Sequence, residues 1–137
     1  MIIDATNLVM GRIAAFAAKK AIVGEKVDII NCEKAIVTGS RRFLVGRYFQ
    51  QRDRGGPFHG PIVPRKSNML LKHVIKGMLP KKQEKGIEAL ARIKCYIGVP
   101  KEFEGKKTEN PTKAGVEKLE TTKYITLQEL SFGLGAR

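Results

Sequence analysis

The fold of this chain is decided by residues 2–30, which read IIDATNLVMGRIAAFAAKKAIVGEKVDII. Ile2–Asp4 and Val27–Ile30 are short apolar runs typical of strands, and the alanine-rich stretch from Met10 to Val23 suits a helix. Gly24 follows that stretch, at the position of a left-handed C-terminal cap. Because a strand, a helix and a second strand follow one another within about thirty residues, the sequence predicts a parallel crossover unit.

The next segment continues the alternation of strands and helices. Ala35–Thr38 is predicted as a strand, and Ser40 is predicted to cap a second helix that stops by Gly55-Gly56-Pro57. The inner face of this helix is predicted to carry Leu44, Val45, Tyr48 and Phe49. A third helix is predicted from about 68 to 79, with its last two residues, Met78 and Leu79, buried.

The last third of the chain is predicted to be less regular. Residues 81–91 are mildly helical, and 93–97 alternate as a strand does. Residues 99–123 are polar and predict an extended or irregular arm, after which Thr126 to Glu129 form a capping box for a short last helix. We therefore expect one α/β domain over residues 1–137, with a small parallel sheet of about four strands, helices on both faces in three layers, and a polar C-terminal extension.

Positive charge is concentrated in residues 41–94. This segment carries fourteen Lys and Arg against three acidic residues, and its net charge of +11 is most of the chain's +13. A charge run is usually a solvated face, but this one is interrupted by Gly/Pro loops and carries aromatic residues. Glycine lets a backbone approach phosphate groups closely, and arginine and lysine neutralise them. The segment therefore predicts binding of a polyanion, either structured RNA or, as a rival, DNA without sequence preference.

Two groups of side chains are the candidate RNA contacts. The leading group comprises Arg41, Arg42, Arg47, Arg52, Arg54, Arg65 and Lys66. The second group comprises Lys72, Lys76, Lys81, Lys82, Lys85 and Arg92. Gly55 and Gly56 would permit close backbone approach, and His59 is either an RNA contact or a solvated side chain. Phe58 could stack on an unpaired base or anchor the loop.

An enzyme is a second hypothesis, because a strand-helix-strand start is also typical of nucleotide-binding folds. The turn from Asp4 to Gly11 has one glycine rather than a cluster, and no Walker-type motif is present. His59 and His73 lack further ligands at zinc-site spacing. We expect no catalytic site, metal or cofactor.

Compartment is indicated by what the sequence lacks. Cys32 and Cys95 are far apart in apolar segments and are predicted to be reduced, buried, small hydrophobes. No apolar run reaches the roughly eighteen residues that a membrane span needs, and the first residues lack a signal-peptide pattern. A cytoplasmic protein is expected.

Ordered motifs along residues 2–98 resemble a known family. They read IDAT at 3–6, MGRIA at 10–14, NCEKA at 31–35, VTG at 37–39, KGMLP at 76–80 and IKCYIG at 93–98. This series is similar to the universal large-subunit ribosomal protein 13 family, and the RGGPFH loop at 54–59 looks like its archaeal and eukaryotic branch. Ile87 departs from the pattern, because relatives often place a polar or basic residue there, so we expect no direct RNA contact at that position.

The resemblance implies more than the composition does. It implies a non-enzymatic structural protein bound to large-subunit ribosomal RNA, beside neighbouring ribosomal proteins, with a role in assembly. Charge alone predicts a polyanion partner but cannot supply the identity of the RNA.

Overall fold

Five strands and five α-helices are interspersed in the computed structural model, which describes residues 1–136. The strands are β1 (Ile2–Asp4), β2 (Val27–Ile30), β3 (Ile36–Thr38), β4 (Ile93–Cys95) and β5 (Tyr124–Thr126). The helices are α1 (Met10–Val23), α2 (Arg41–Asp53), α3 (Ser67–Met78), α4 (Glu84–Ala91) and α5 (Leu127–Gly133). The predicted α/β class is confirmed.

The opening crossover unit forms as the sequence predicts. β1 and β2 are parallel, with Ile3 opposite Ile29. α1 buries a stripe that includes Ile13 and four alanines, and the small side chains let neighbouring elements approach closely. Gly24 ends the helix in the left-handed region at φ 111°, and its amide donates to the Ala21 carbonyl at 3.1 Å.

The parallel sheet has three strands, in the order β1-β2-β4, rather than about four. β3 instead pairs antiparallel with β5, with Val37 opposite Ile125. The reason lies just after β2, where Asn31 adopts a left-handed φ of 53° and a single turn of 3₁₀ helix follows over Cys32–Lys34. This turn carries the chain away from the sheet before β3 begins.

Burial alternates across the sheet. Ile3, Ile29 and Ile93 are fully buried, whereas Asp28 is half-buried and Lys94 is exposed. Successive residues of a strand point to opposite faces, so Ile3, Ile29 and Ile93 share one apolar face. The other face is mixed, because it carries Asp28 and Lys94 together with the buried Ile30. Because α1 contacts both α3 and α4, and α3 and α4 both contact β4, these helices lie together on the apolar face. α1, α3 and α4 therefore form one helical layer against the parallel sheet.

Asp4, at the end of β1, accepts three hydrogen bonds on one carboxylate oxygen. The donors are the Thr6 amide at 3.0 Å, the Thr6 hydroxyl at 2.7 Å and the Asn31 side-chain amide at 3.0 Å. Burial disfavours the charged carboxylate, but the hydrogen bonds from Thr6 and Asn31 outweigh it, so the pKa of Asp4 lies below its ordinary value. In parallel α/β folds this end of the sheet is where nucleotides bind. Here internal hydrogen bonds hold the polar side chain.

The chain after β4 runs back along the outer edge of β1. The Glu109 amide donates to the Ile2 carbonyl at 2.8 Å, and the Asp4 amide donates to the Asn110 side chain at 3.1 Å. An edge strand otherwise presents unpaired backbone groups. These contacts satisfy two of them and fix the start of residues 109–118, which we call the β1 strap.

The end of α3 differs from the expectation in one residue. Leu79 is 5% exposed and buried as predicted, but Met78 is 44% exposed, so the prediction that it is buried is wrong. Met78 is the last residue of the helix, and the chain turns there toward Pro80. The core position at this turn is taken by Leu79.

The two cysteines, separated by sixty-two residues in sequence, meet at the ends of β2 and β4. Both are free thiols, Cys32 fully buried and Cys95 half-buried. A hydrogen bond with the Cys95 thiol, together with burial, raises the pKa of Cys32. Cys32 is therefore a neutral core residue, as predicted, and its Sγ donates to the Ile29 carbonyl at 3.4 Å.

Candidate nucleic-acid interface

Most cations of the 41–94 segment have no acidic partner. Arg52 lies 3.9 Å from the Asp53 carboxylate, and Arg92 lies 2.9 Å from that of Glu88. Within residues 1–136, none of the other twelve Lys and Arg of the segment has a carboxylate oxygen within 4.0 Å. The protein itself therefore leaves this charge to be neutralised by solvent ions or by a ligand.

The outer face of α2 combines arginines with an aromatic ring. The Ser40 hydroxyl caps the helix by accepting from the Phe43 amide at 3.4 Å, as predicted. Leu44 is buried, and at 100° per residue Arg47 and Phe43 fall on the solvent side. Phe43 is 63% exposed. The sequence analysis did not identify Phe43 as a candidate contact, although its position opposite the predicted inner face of α2 indicated that its ring would be exposed.

The loop between α2 and α3, residues 54–66, is flanked at both ends by contacts with α5 and with Leu134, the residue that follows α5. At one end the Arg52 guanidinium lies 4.3 Å from the centre of the Phe49 ring and donates to the Leu134 carbonyl at 3.5 Å. At the other end the Ser131 hydroxyl donates to the Arg65 carbonyl at 2.7 Å. Ser131 of α5 thus contacts the second stem of the 54–66 loop, and Leu134 contacts the end of α2 just before the first stem, which the sequence did not predict.

The two adjacent glycines of the loop have different surroundings. A Cβ on Gly55 would overlap the Pro61 carbonyl oxygen, so the loop can close only with glycine there. Gly56 donates its amide to the His59 carbonyl at 2.9 Å, and a Cβ there would meet nothing within 4 Å. Gly55 is therefore required by the loop itself, and the backbone at Gly56 is open to a ligand.

The tip of the 54–66 loop is apolar as well as basic. Phe58 is 93% exposed and Ile62 is 78% exposed. His59 is also exposed. The sequence left open whether Phe58 anchors the loop, and its exposure favours the alternative that it stacks on a ligand.

A second group of cations lies at the other end of α3. Lys76, Lys81, Lys82 and Lys85 are exposed. Two of them, Lys76 and Lys81, line a cleft of about 290 Å³ together with Ile87. Since α3 has twelve residues, this corner lies about 18 Å along the helix from the 54–66 loop. The cations thus form two groups near the two ends of α3. One lies at the 54–66 loop, and the other, which we call the α3–α4 corner, comprises Lys76, Lys81, Lys82 and Lys85.

The remaining predicted contacts occupy different surroundings. Arg41, Arg42, Arg65 and Lys66 are exposed. Arg92 is half-buried, where it also donates to the Ala21 carbonyl at 3.4 Å and so links α4 to α1. Lys72 is half-buried as well. RNA contact stays a prediction for every one of these residues. Arg52 and Arg92 also make internal contacts, with the Leu134 and Ala21 carbonyls respectively.

Metal-ligating side chains are dispersed within residues 1–136. In this range no group of three or more His, Cys, Asp or Glu side chains is placed to hold a metal ion. His59 and His73 are both exposed. None of the helices described is long and apolar enough to cross a membrane.

The described residues 1–136 form a small α/β protein whose cations near both ends of α3 have no carboxylate partner within that range. A family model described as ribosomal protein L13 matches residues 1–102. The large ribosomal subunit protein uL13 of Methanosarcina barkeri is 39% identical over 137 residues, covering 99% of this chain and 98% of that protein. The uL13 of Thermoplasma volcanium is 41% identical over 134 residues, covering 98% and 97%. The chain belongs to the ribosomal protein L13 family, which confirms the resemblance inferred from its motifs.

Proposed function

We propose that this protein is a structural constituent of the large ribosomal subunit that binds and organises large-subunit rRNA during assembly. Two relatives named large ribosomal subunit protein uL13 match this chain over nearly their whole length. The observation that carries the proposal is the set of twelve cations in residues 41–94 without an acidic partner among residues 1–136. Phosphate groups of RNA are the partner that neutralises such a surface.

The mechanism follows from the spacing of the two cation groups. The 54–66 loop and the α3–α4 corner stand about 18 Å apart on one helix. A-form RNA presents phosphates to a protein along its grooves, and unpaired bases stack on exposed aromatic rings. Each group would bind a different stretch of RNA, and the rigid helix between them would set the mutual orientation of those stretches. Phe43 and Phe58 would add stacking contacts to the phosphate contacts.

The same proposal covers partners and place of action. The protein acts without catalysis, cofactor or small-molecule substrate, in the cytoplasm, on ribosomes and beside neighbouring ribosomal proteins. Among residues 1–136 no cluster of side chains is placed to bind a metal, and Asp4 is held by internal hydrogen bonds.

A competition assay tests the proposal against the DNA-binding rival, and calorimetry tests it against the enzyme rival. The labelled probe is a large-subunit rRNA transcript from the organism that encodes the chain, and the competitors are unlabelled transcript and duplex DNA of equal phosphate content. We expect the transcript to displace the probe at far lower concentration than DNA, with affinity falling as salt rises. Equal competition by DNA would favour the DNA-binding rival. Calorimetric binding of ATP, GTP or NAD would favour the enzyme rival.

A further inference from the structure

A second basic site lies outside the 41–94 segment, between α1 and the β1 strap. It is a cleft of about 560 Å³ lined by Arg12, Ala15, Pro111, Lys113, Ala114 and Lys118. Three cations from two distant parts of the sequence thus meet around a floor of small apolar side chains. The sequence did not single out any of these residues, because residues 95–137 have a net charge of only +1.

The cleft is built from main-chain contacts that hold the strap against the start of α1. The Val9 amide donates to the Ala114 carbonyl at 2.9 Å, and the Val116 amide donates to the Asn7 carbonyl at 3.1 Å. Ala114 itself is 1% exposed. The wall that carries Lys113 and Lys118 is therefore packed against α1.

Two of the three cations are held in place by backbone carbonyls. A guanidinium nitrogen of Arg12 donates to the Lys113 carbonyl at 2.7 Å, and the Lys118 ammonium donates to the Thr112 carbonyl at 2.6 Å. These bonds orient the charges without neutralising them. Among residues 1–136, no carboxylate oxygen lies within 4.0 Å of Arg12, Lys113 or Lys118. An arginine oriented in this way keeps donors free in a planar fork that matches phosphate.

We propose that this cleft between α1 and the β1 strap binds the phosphate backbone of an RNA strand, as a contact separate from the 41–94 surface. The inference rests on the proposed function, since both sites would bind the same RNA. Alanine and proline along the floor leave room for a phosphodiester and its ribose beside the three cations. The strap then has two purposes, because it closes the edge of β1 and carries half of a binding site.

The test variant is Lys113→Gln with Lys118→Gln. Its matched control is Lys101→Gln with Lys107→Gln, which removes the same charge from exposed positions that do not line the cleft. Affinity for the rRNA transcript is measured against salt concentration. We expect the slope of log affinity against log salt to become shallower by about 0.7–0.9 for each phosphate that the variant no longer neutralises. The slope for the control variant should stay close to that of the unmodified protein.

Lys118 also holds the strap, so Lys113→Gln alone serves as a second variant. Within residues 1–136, Lys113 makes an internal hydrogen bond through its backbone carbonyl and none through its side chain. Thermal unfolding of Lys113→Gln should therefore match that of the unmodified protein. A shallower slope for this single variant would support the cleft as an RNA site. If both cleft variants behave as the control does, while the unmodified protein still binds the transcript with strong salt dependence, the cleft is not an RNA site and the proposed function stands. Failure of the unmodified protein itself to bind the transcript would instead overturn the proposed function.

Discussion

Replacing Arg54, Arg65 and Lys66 with Gln is expected to weaken RNA binding strongly while leaving the fold intact. These side chains are exposed, and within residues 1–136 none of them forms an ion pair. Removing them relieves repulsion among like charges, so the thermal midpoint should stay the same or rise slightly. The slope of log affinity against log salt should become shallower by about 0.7–0.9 for each phosphate that is no longer neutralised.

The control for this variant removes three charges elsewhere, at Lys26, Lys101 and Lys107, which are also exposed. Arg52 is left unchanged, because its guanidinium packs on Phe49 and binds the Leu134 carbonyl. If the test and control variants lose affinity equally, binding depends on net charge and not on the 54–66 loop and its flanks.

Truncating Leu71 is expected to have the largest effect on stability. Leu71 is 0% exposed in the middle of α3, and Leu71→Ala should lower the free energy of unfolding by about 2–5 kcal/mol, because apolar burial is reduced and a cavity is left behind. Met78→Ala removes a longer side chain from the end of the same helix, but that side chain is 44% exposed. We expect it to cost less than about 1 kcal/mol, near the range of surface substitutions.

Urea unfolding of the RNA-free protein measures both variants. Equal losses of stability for Leu71→Ala and Met78→Ala would mean that the end of α3 is buried, as the sequence predicted and the structure does not show. A neutral Leu71→Ala would contradict the placement of the whole helix.

The local elements were predictable because their signals are local. α1 has the predicted bounds, since an alanine stripe and a terminal glycine mark both its face and its end. The caps of α2 and α5 were also predicted: the Thr126 hydroxyl accepts from the Glu129 amide at 3.2 Å, as a capping box requires.

The pairing of distant segments was not predictable, because the sequence of one strand does not identify the strand with which it pairs. Ala35–Thr38 was expected to join the parallel sheet, but β3 pairs with β5, three residues that the sequence did not distinguish as a strand. Gly86 is a similar case. A Cβ there would overlap the Pro80 carbonyl, which is a contact between α4 and the turn before it that no periodicity reveals.

The local features of the candidate site were likewise predictable, and its long-range contacts were not. Charge density alone indicated the 41–94 segment, because a local excess of Lys and Arg is visible in sequence. The role of α5 in holding the 54–66 loop depends on hydrogen bonds to Arg65 and Leu134 that span more than sixty residues. The cleft at Arg12 and Lys113 depends on the path of the strap and left no signal in composition.

Crosslinking in assembled particles tests whether residues 41–94 bind large-subunit rRNA. Large subunits that contain this protein are irradiated, and the peptides and rRNA nucleotides joined by each crosslink are sequenced. We expect adducts to large-subunit rRNA from peptides within residues 41–94, including both the 54–66 loop and the α3–α4 corner. Particles that contain the protein but yield adducts only from outside residues 41–94 would contradict this expectation.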